Sequence, residues 1–95
     1  MSVTIAGIDF ANHSYDDRGD VLYVDVEGYS YGGLPPDAYA SPEGHGIEFD
    51  DQGNVVAMTL VNVRWLMDRD GELRITWPDG HVTRDPRSEV LGLAA

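Results

Sequence analysis

The sequence predicts a mainly β fold: a small antiparallel β-meander of five or six strands, curled into a bent sheet or half-barrel, with room for a short C-terminal helix. Two observations carry this. Apolar and polar residues alternate with a period of two, and the alternating segments are separated by short turns that combine an aspartate with a glycine. The 95 residues fit one domain, residues 1–95, without a dividing linker. A chain of this size buries roughly two thirds of its unfolded surface. Cysteine is absent, so neither a disulfide nor cysteine-bound zinc holds the fold.

Residues 3–10 read as a strand interrupted at Ala6-Gly7 by a bulge or tight turn. In residues 20–27, Leu22, Val24 and Val26 share one face, and Val21, Tyr23 and Asp25 the other. Residues 28–42 hold three glycines and three prolines and form the longest irregular stretch; Pro35-Pro36 cannot sit in a central strand. Residues 46–50 alternate Ile47 and Phe49 against Glu48 and Asp50, and residues 72–77 place Leu73, Ile75 and Trp77 inside. Residues 54–63 are apolar on both faces, as in a strand that is central and covered on both sides or meets another subunit. Their β-branched content argues for strand over helix. The tail, residues 86–95, is a short helix or frays, and is the one segment with helical character.

Three turns share one pattern: Tyr15-Asp16-Asp17-Arg18-Gly19-Asp20-Val21, Phe49-Asp50-Asp51-Gln52-Gly53-Asn54-Val55 and Met67-Asp68-Arg69-Asp70-Gly71-Glu72-Leu73. Aspartate bonds its own backbone two residues on, and glycine supplies a positive φ, so all three are expected to be hairpin turns. Pro78-Asp79-Gly80 makes a fourth. None fits a calcium loop; the third would need aspartate where Leu66 stands.

The formal net charge is −11, and all six basic residues are arginines, five of them at or after Arg64. That balance disfavours direct contact with nucleic acid or an anionic membrane and would attract a basic protein, although solubility alone explains an acidic surface. The first ten residues carry no basic region followed by an apolar one, and no apolar run is long enough to cross a bilayer. A cytoplasmic protein is expected.

No arrangement of residues announces catalysis. His13, His45 and His81 occur in no ligand spacing, and the serines lack a paired base apart from Ser41, which lies near His45. Gly32-Gly33 runs into Leu34-Pro35-Pro36 and is no phosphate loop. Arg18-Gly19-Asp20 and the sequon Asn12-His13-Ser14 are read as chance. Neither an enzyme, a cofactor nor a metal centre is expected. Glu43-Gly44-His45 is the place where an acid and a histidine sit close together: it is either a small-ligand, metal or proton-transfer site, or a turn with an exposed histidine, the reading expected here. Arg64 and Trp65 are residue types favoured at interface hot spots. The competing expectation, which is preferred, is that Trp65 completes the core and Arg64 pairs with an acid.

Tyr15-Asp16 followed by Asp20-Val21-Leu22-Tyr23-Val24 resembles the opening of the small prokaryotic family called domain of unknown function twenty-two eighty-three. Pro42-Glu43-Gly44-His45, Phe49-Asp50-Asp51-Gln52-Gly53-Asn54-Val55-Val56 and Val61-Asn62-Val63-Arg64 resemble its second half, so the similarity spans residues 15–64. The resemblance implies a compact β-meander, no established activity and no catalytic residue to carry over. Some members are encoded beside small toxin-like proteins, which implies an antitoxin-like partner role. The expected protein is therefore a non-enzymatic interaction module for a small basic protein, with Glu43, His45, Arg64 and Trp65 as candidate contacts. A homodimer through residues 54–63 is also expected.

Overall fold

The computed structural model describes residues 3–29 and 37–93. β1 (Val3–Ile5) and β2 (Ile8–Phe10) form a hairpin whose two turn residues, Ala6 and Gly7, take φ of 56° and 77°. Two successive left-handed residues match the right-handed twist of the strands they join. β3 (Asn12–Asp16), β4 (Val21–Asp25), β5 (Asp37–Ala40), β6 (Gly46–Phe49) and β7 (Val55–Val61) make a five-stranded sheet, antiparallel throughout, in the order β3-β4-β7-β6-β5. The sheet does not close on itself. Helix α1 (Val63–Asp70) leads to a second hairpin, β8 (Glu72–Thr76) and β9 (Val82–Pro86). Helix α2 (Arg87–Val90) and a 3-10 turn, Leu91–Leu93, follow.

The doubly apolar segment is central, between β4 and β6. Register explains its core face: Leu22 pairs with Leu60, Val24 with Met58, and Ile47 with Met58. These five side chains pack with Ile5 and Phe10 of the first hairpin, Val63 and Met67 of α1, Leu73, Ile75 and Trp77 of the second hairpin, and Val90 of α2. One sheet face is thus covered by both hairpins and both helices. The outer face carries the pairs Tyr23–Thr59 and Thr59–Gly46, and Asp25–Ala57 and Ala57–Glu48.

Several expectations need correction. Strand β7 stops at Val61, because Asn62 turns left-handed at φ 54° and ends the extended run. The third Asp-Gly segment is no hairpin turn but the end of α1: Gly71, at φ 74°, donates its amide to the Met67 carbonyl at 2.8 Å and caps the helix. In the first turn the positive φ, 56°, belongs to Asp20 and not to Gly19, while Asp16 accepts the Arg18 amide at 3.0 Å. The second and fourth turns follow the expected chemistry. Asp50 accepts the amides of Gln52 and Asn54 at 2.9 and 2.8 Å, and Asp79 accepts that of His81 at 3.0 Å. Strand β5 lies inside the stretch expected to be irregular, held by its pairing with β6. The expectation for Pro35-Pro36 lies outside the described residues, as does the last part of the tail. Of the rest of the tail, Pro86 ends β9 and residues 87–93 are helical, with Val90 anchoring them in the core.

Candidate functional site

Strand β8 has one edge paired with β9. In that hairpin Arg74 and Thr76 oppose Arg84 and Val82, and the polar groups on their other side are met by side chains instead of a strand. Glu43 Oε1 accepts the Thr76 amide at 3.0 Å, and Glu43 Oε2 accepts the Thr76 hydroxyl at 2.6 Å. The Tyr39 hydroxyl donates to the Thr76 carbonyl at 3.0 Å, and His45 Nε2 lies 3.2 Å from the Arg74 carbonyl. All three side chains come from the β5–β6 hairpin. Its loop is shaped by Ser41, whose amide donates to the His45 carbonyl (2.8 Å) and whose hydroxyl accepts the His45 amide (3.1 Å), and by Gly44 at φ 96°.

His45 is not the exposed turn residue expected from sequence; it has no solvent-accessible surface. The Val61 amide donates to its Nδ1 at 3.1 Å, so Nε2 carries the hydrogen and donates to Arg74. Burial pushes the imidazole below its ordinary value, against the opposing influence of the Glu43 carboxylate. Burial also pushes Glu43 up, but the Thr76 hydroxyl and amide and the Ser41 side chain hold it below the usual carboxylate range. Glu43 and His45 are thus brought together as a clamp on β8. The imidazole lone pair is taken by Val61 and both carboxylate oxygens by Thr76. Among the described residues no group of three or more His, Cys, Asp or Glu is placed to hold a metal ion.

Helix α1 presents a different surface. Its first residues get no side-chain cap from Asn62. Asp20, from the β3–β4 turn, takes that role: its Oδ1 accepts the Arg64 amide at 2.9 Å, its Oδ2 the Trp65 amide at 3.1 Å, and its own carbonyl the Val63 amide at 3.2 Å. The Tyr15 hydroxyl donates to Asp20 Oδ1 at 2.7 Å. Burial raises Asp20, but the bonds from Arg64, Tyr15 and Trp65 outweigh it and leave the carboxyl below its ordinary value. Burial and the Asp20 bond push Tyr15 up to about 12.

Trp65 does not complete the core. It is 57% exposed, while Trp77, 7% exposed, fills the interior and donates Nε1–H to the Thr83 hydroxyl at 3.0 Å. The Arg69 guanidinium lies over the Trp65 ring, 4.7 Å from its centroid, and pairs with Asp70 at 2.8 Å. Arg74 and Arg84 pair with Glu72, and Arg87 with Asp68. The Arg64 side chain has no such ion pair among the described residues; its charge acts on Asp20 and Tyr15. The Asp20 cap ties the β3–β4 turn, which also carries Asp16 and Asp17, to the first turn of α1.

Of the four residues singled out in the sequence, Glu43 and His45 belong to the clamp, and Arg64 and Trp65 to the α1 surface. Sequence reasoning missed Asp20, Tyr39, Thr76 and Asp85. Asp85 accepts the Ala6 amide on both oxygens, at 3.2 and 3.0 Å, and ties β9 to the first hairpin. Only Asp20 left a signal, as a turn aspartate following glycine. No family model matches this chain, and no curated protein or solved structure matches it significantly.

Proposed function

We propose that this is a non-enzymatic protein-interaction module whose binding surface is the outward side of α1, with Trp65 as the apolar anchor and the Asp16-Asp17 turn as its acidic flank. The observation that carries the reading is the exposure of Trp65 on a helix fixed by Asp20. A tryptophan held on a preorganised helix loses little freedom on binding, and such residues dominate interface energetics. With a net charge of −11 the partner chemistry is basic, as a small toxin-like protein in an antitoxin-like pairing would supply, and the setting is cytoplasmic. No helix of the described residues is long and apolar enough to cross a membrane. The ligand or metal reading at Glu43 and His45 loses ground because their polar atoms already serve β7 and β8.

The test is a tagged pull-down from the native host with stoichiometry read by mass spectrometry. The expected result is a small basic protein at a fixed ratio, released by salt and bound about 30-fold or more weakly by Trp65→Ala. Undiminished binding by Trp65→Ala would remove α1 as the surface.

A second reading is the homodimer through β7, whose outer face carries Ala57, buried within the single chain, and the half-buried Val61. Asp16, Asp25 and Glu48 share that face by register. Two facing copies would bring like charges together, so this dimer strengthens with salt where binding of a basic partner weakens. Sedimentation at low and high salt separates the two.

A further inference from the structure

The His45 ring joins three elements. It stands at the start of β6, receives the amide of Val61 at the end of β7, and donates to the Arg74 carbonyl on the edge of β8. Val61 is two residues from Val63, where α1 begins, and Asp20 then fixes the first turn of that helix. Geometry requires a neutral ring. A proton on Nδ1 would face the Val61 N–H, donor against donor, in a site without solvent.

We propose that His45 is an acid-operated latch on the Trp65 helix: proton uptake from solvent at Nδ1 ejects the Val61 amide, frees the end of β7 and loosens the α1 surface, while Nε2–H keeps its bond to the Arg74 carbonyl. As regulation of that surface the latch rests on the interaction reading above, but the latch itself is a property of the free protein.

The charged groups around the ring set the direction of the effect. Glu43, on the same loop, favours the imidazolium, and burial opposes it more strongly. From β8, Arg74 offers its carbonyl while its guanidinium turns to Glu72 at 3.4 Å. From β5, the Tyr39 hydroxyl is bonded to Thr76. The residues flanking Val61, Leu60 and Asn62, carry no charge, and Arg64 of α1 lies by Asp20. The folded ring therefore titrates below its ordinary value of about 6.5. The open form takes up the proton first. Stability from the neutral ring is complete above pH about 6.5 and is lost as pH falls towards the folded value, with the opening constant rising by up to tenfold per pH unit.

Imidazole nitrogen–proton spectra and amide hydrogen exchange on the full chain, between pH 7.5 and 5, test this. His45→Asn serves as the comparison, because its side-chain carbonyl can accept the Val61 amide and does not titrate. The expected result is the Nε2–H tautomer at pH 7.5, an opening constant at Val61 that approaches the tenfold slope after correction for intrinsic exchange, and a flat response in His45→Asn. An Nδ1–H tautomer, a flat wild-type response, or an equal rise in His45→Asn overturns the latch. If His45→Asn does not fold, the wild type decides: a ring titration that tracks the opening of Val61 supports the proposal, and one that does not track it refutes it. None of these readouts involves a partner, so failure of the interaction reading leaves them unchanged.

Discussion

Asp20 and Trp65 stand 45 positions apart, yet the Asp20 carboxylate accepts the Trp65 amide at 3.1 Å and so caps a helix to which it does not belong. Two further donors, the Arg64 amide and the Tyr15 hydroxyl, share that carboxylate. Replacing Asp20 by alanine should cost about 1–2 kcal/mol in chemical denaturation. Asp20→Asn should cost less, because asparagine tolerates the left-handed backbone and keeps one acceptor. Equal losses would show that the cap is not what the carboxylate contributes. Because the folded Asp20 carboxyl lies below its ordinary value, its contribution is complete above the unfolded value of about 3.9 and is lost as pH falls through the folded one.

Glu43 substitutes for a neighbouring strand along part of β8. Glu43→Ala leaves the Thr76 amide without its acceptor, and a loss of about 1–3 kcal/mol is expected. Glu43→Gln keeps an acceptor for that amide and should lose less. Faster exchange of the Thr76 amide in Glu43→Ala than in Glu43→Gln is the local check; identical rates would contradict the clamp.

The two tryptophans should separate optically. Trp65 is open to an aqueous quencher and Trp77 is not. Acrylamide quenching of the wild type is expected to show two components, and Trp65→Phe should abolish the accessible one while changing stability by no more than about 0.5 kcal/mol. A single accessible component in Trp65→Phe would place the wrong ring in the core.

Much of this architecture could be read from the chain, and the failures have physical causes. The alternation correctly grouped Leu22 and Val24 on one face, which the structure buries, and correctly placed Leu73, Ile75 and Trp77 inside. The string ending in Gly71 misled because a left-handed glycine closes a hairpin and a helix equally well. The better signal was Val63, Leu66 and Met67, spaced for one helical face, but the β-branched run before them pointed to strand. At the site, the types of Glu43, His45, Arg64 and Trp65 were visible while their surroundings were not. Glu43 meets Thr76 across 33 positions and His45 meets Arg74 across 29. Contacts of that separation depend on the packed topology and leave no mark in local periodicity.

Asp85 runs against Asp20 and Glu43. Burial pushes it up ahead of the opposing Ala6 bond, and the charge of Glu89 adds to the rise. A raised folded value means that stability is greatest below the unfolded value of about 3.9 and is lost as pH rises through the folded one. Asp85→Asn, which keeps an acceptor for the Ala6 amide, should therefore raise the melting temperature at pH 7 and have little effect near pH 3.5. A lower melting temperature at pH 7 would mean that the second carboxylate oxygen outweighs the burial of the charge.

The side chains along β8 also bear on how copies of this chain behave together. An unpaired strand edge is a template on which another molecule can add its own strand, the first step towards ordered aggregates. Tyr39, Glu43 and His45 occupy the hydrogen-bonding positions that such a strand would need. Anything that displaces them, such as a substitution in the Ser41–His45 loop, would uncover that template, and aggregation would then begin at β8 before the rest of the domain unfolds.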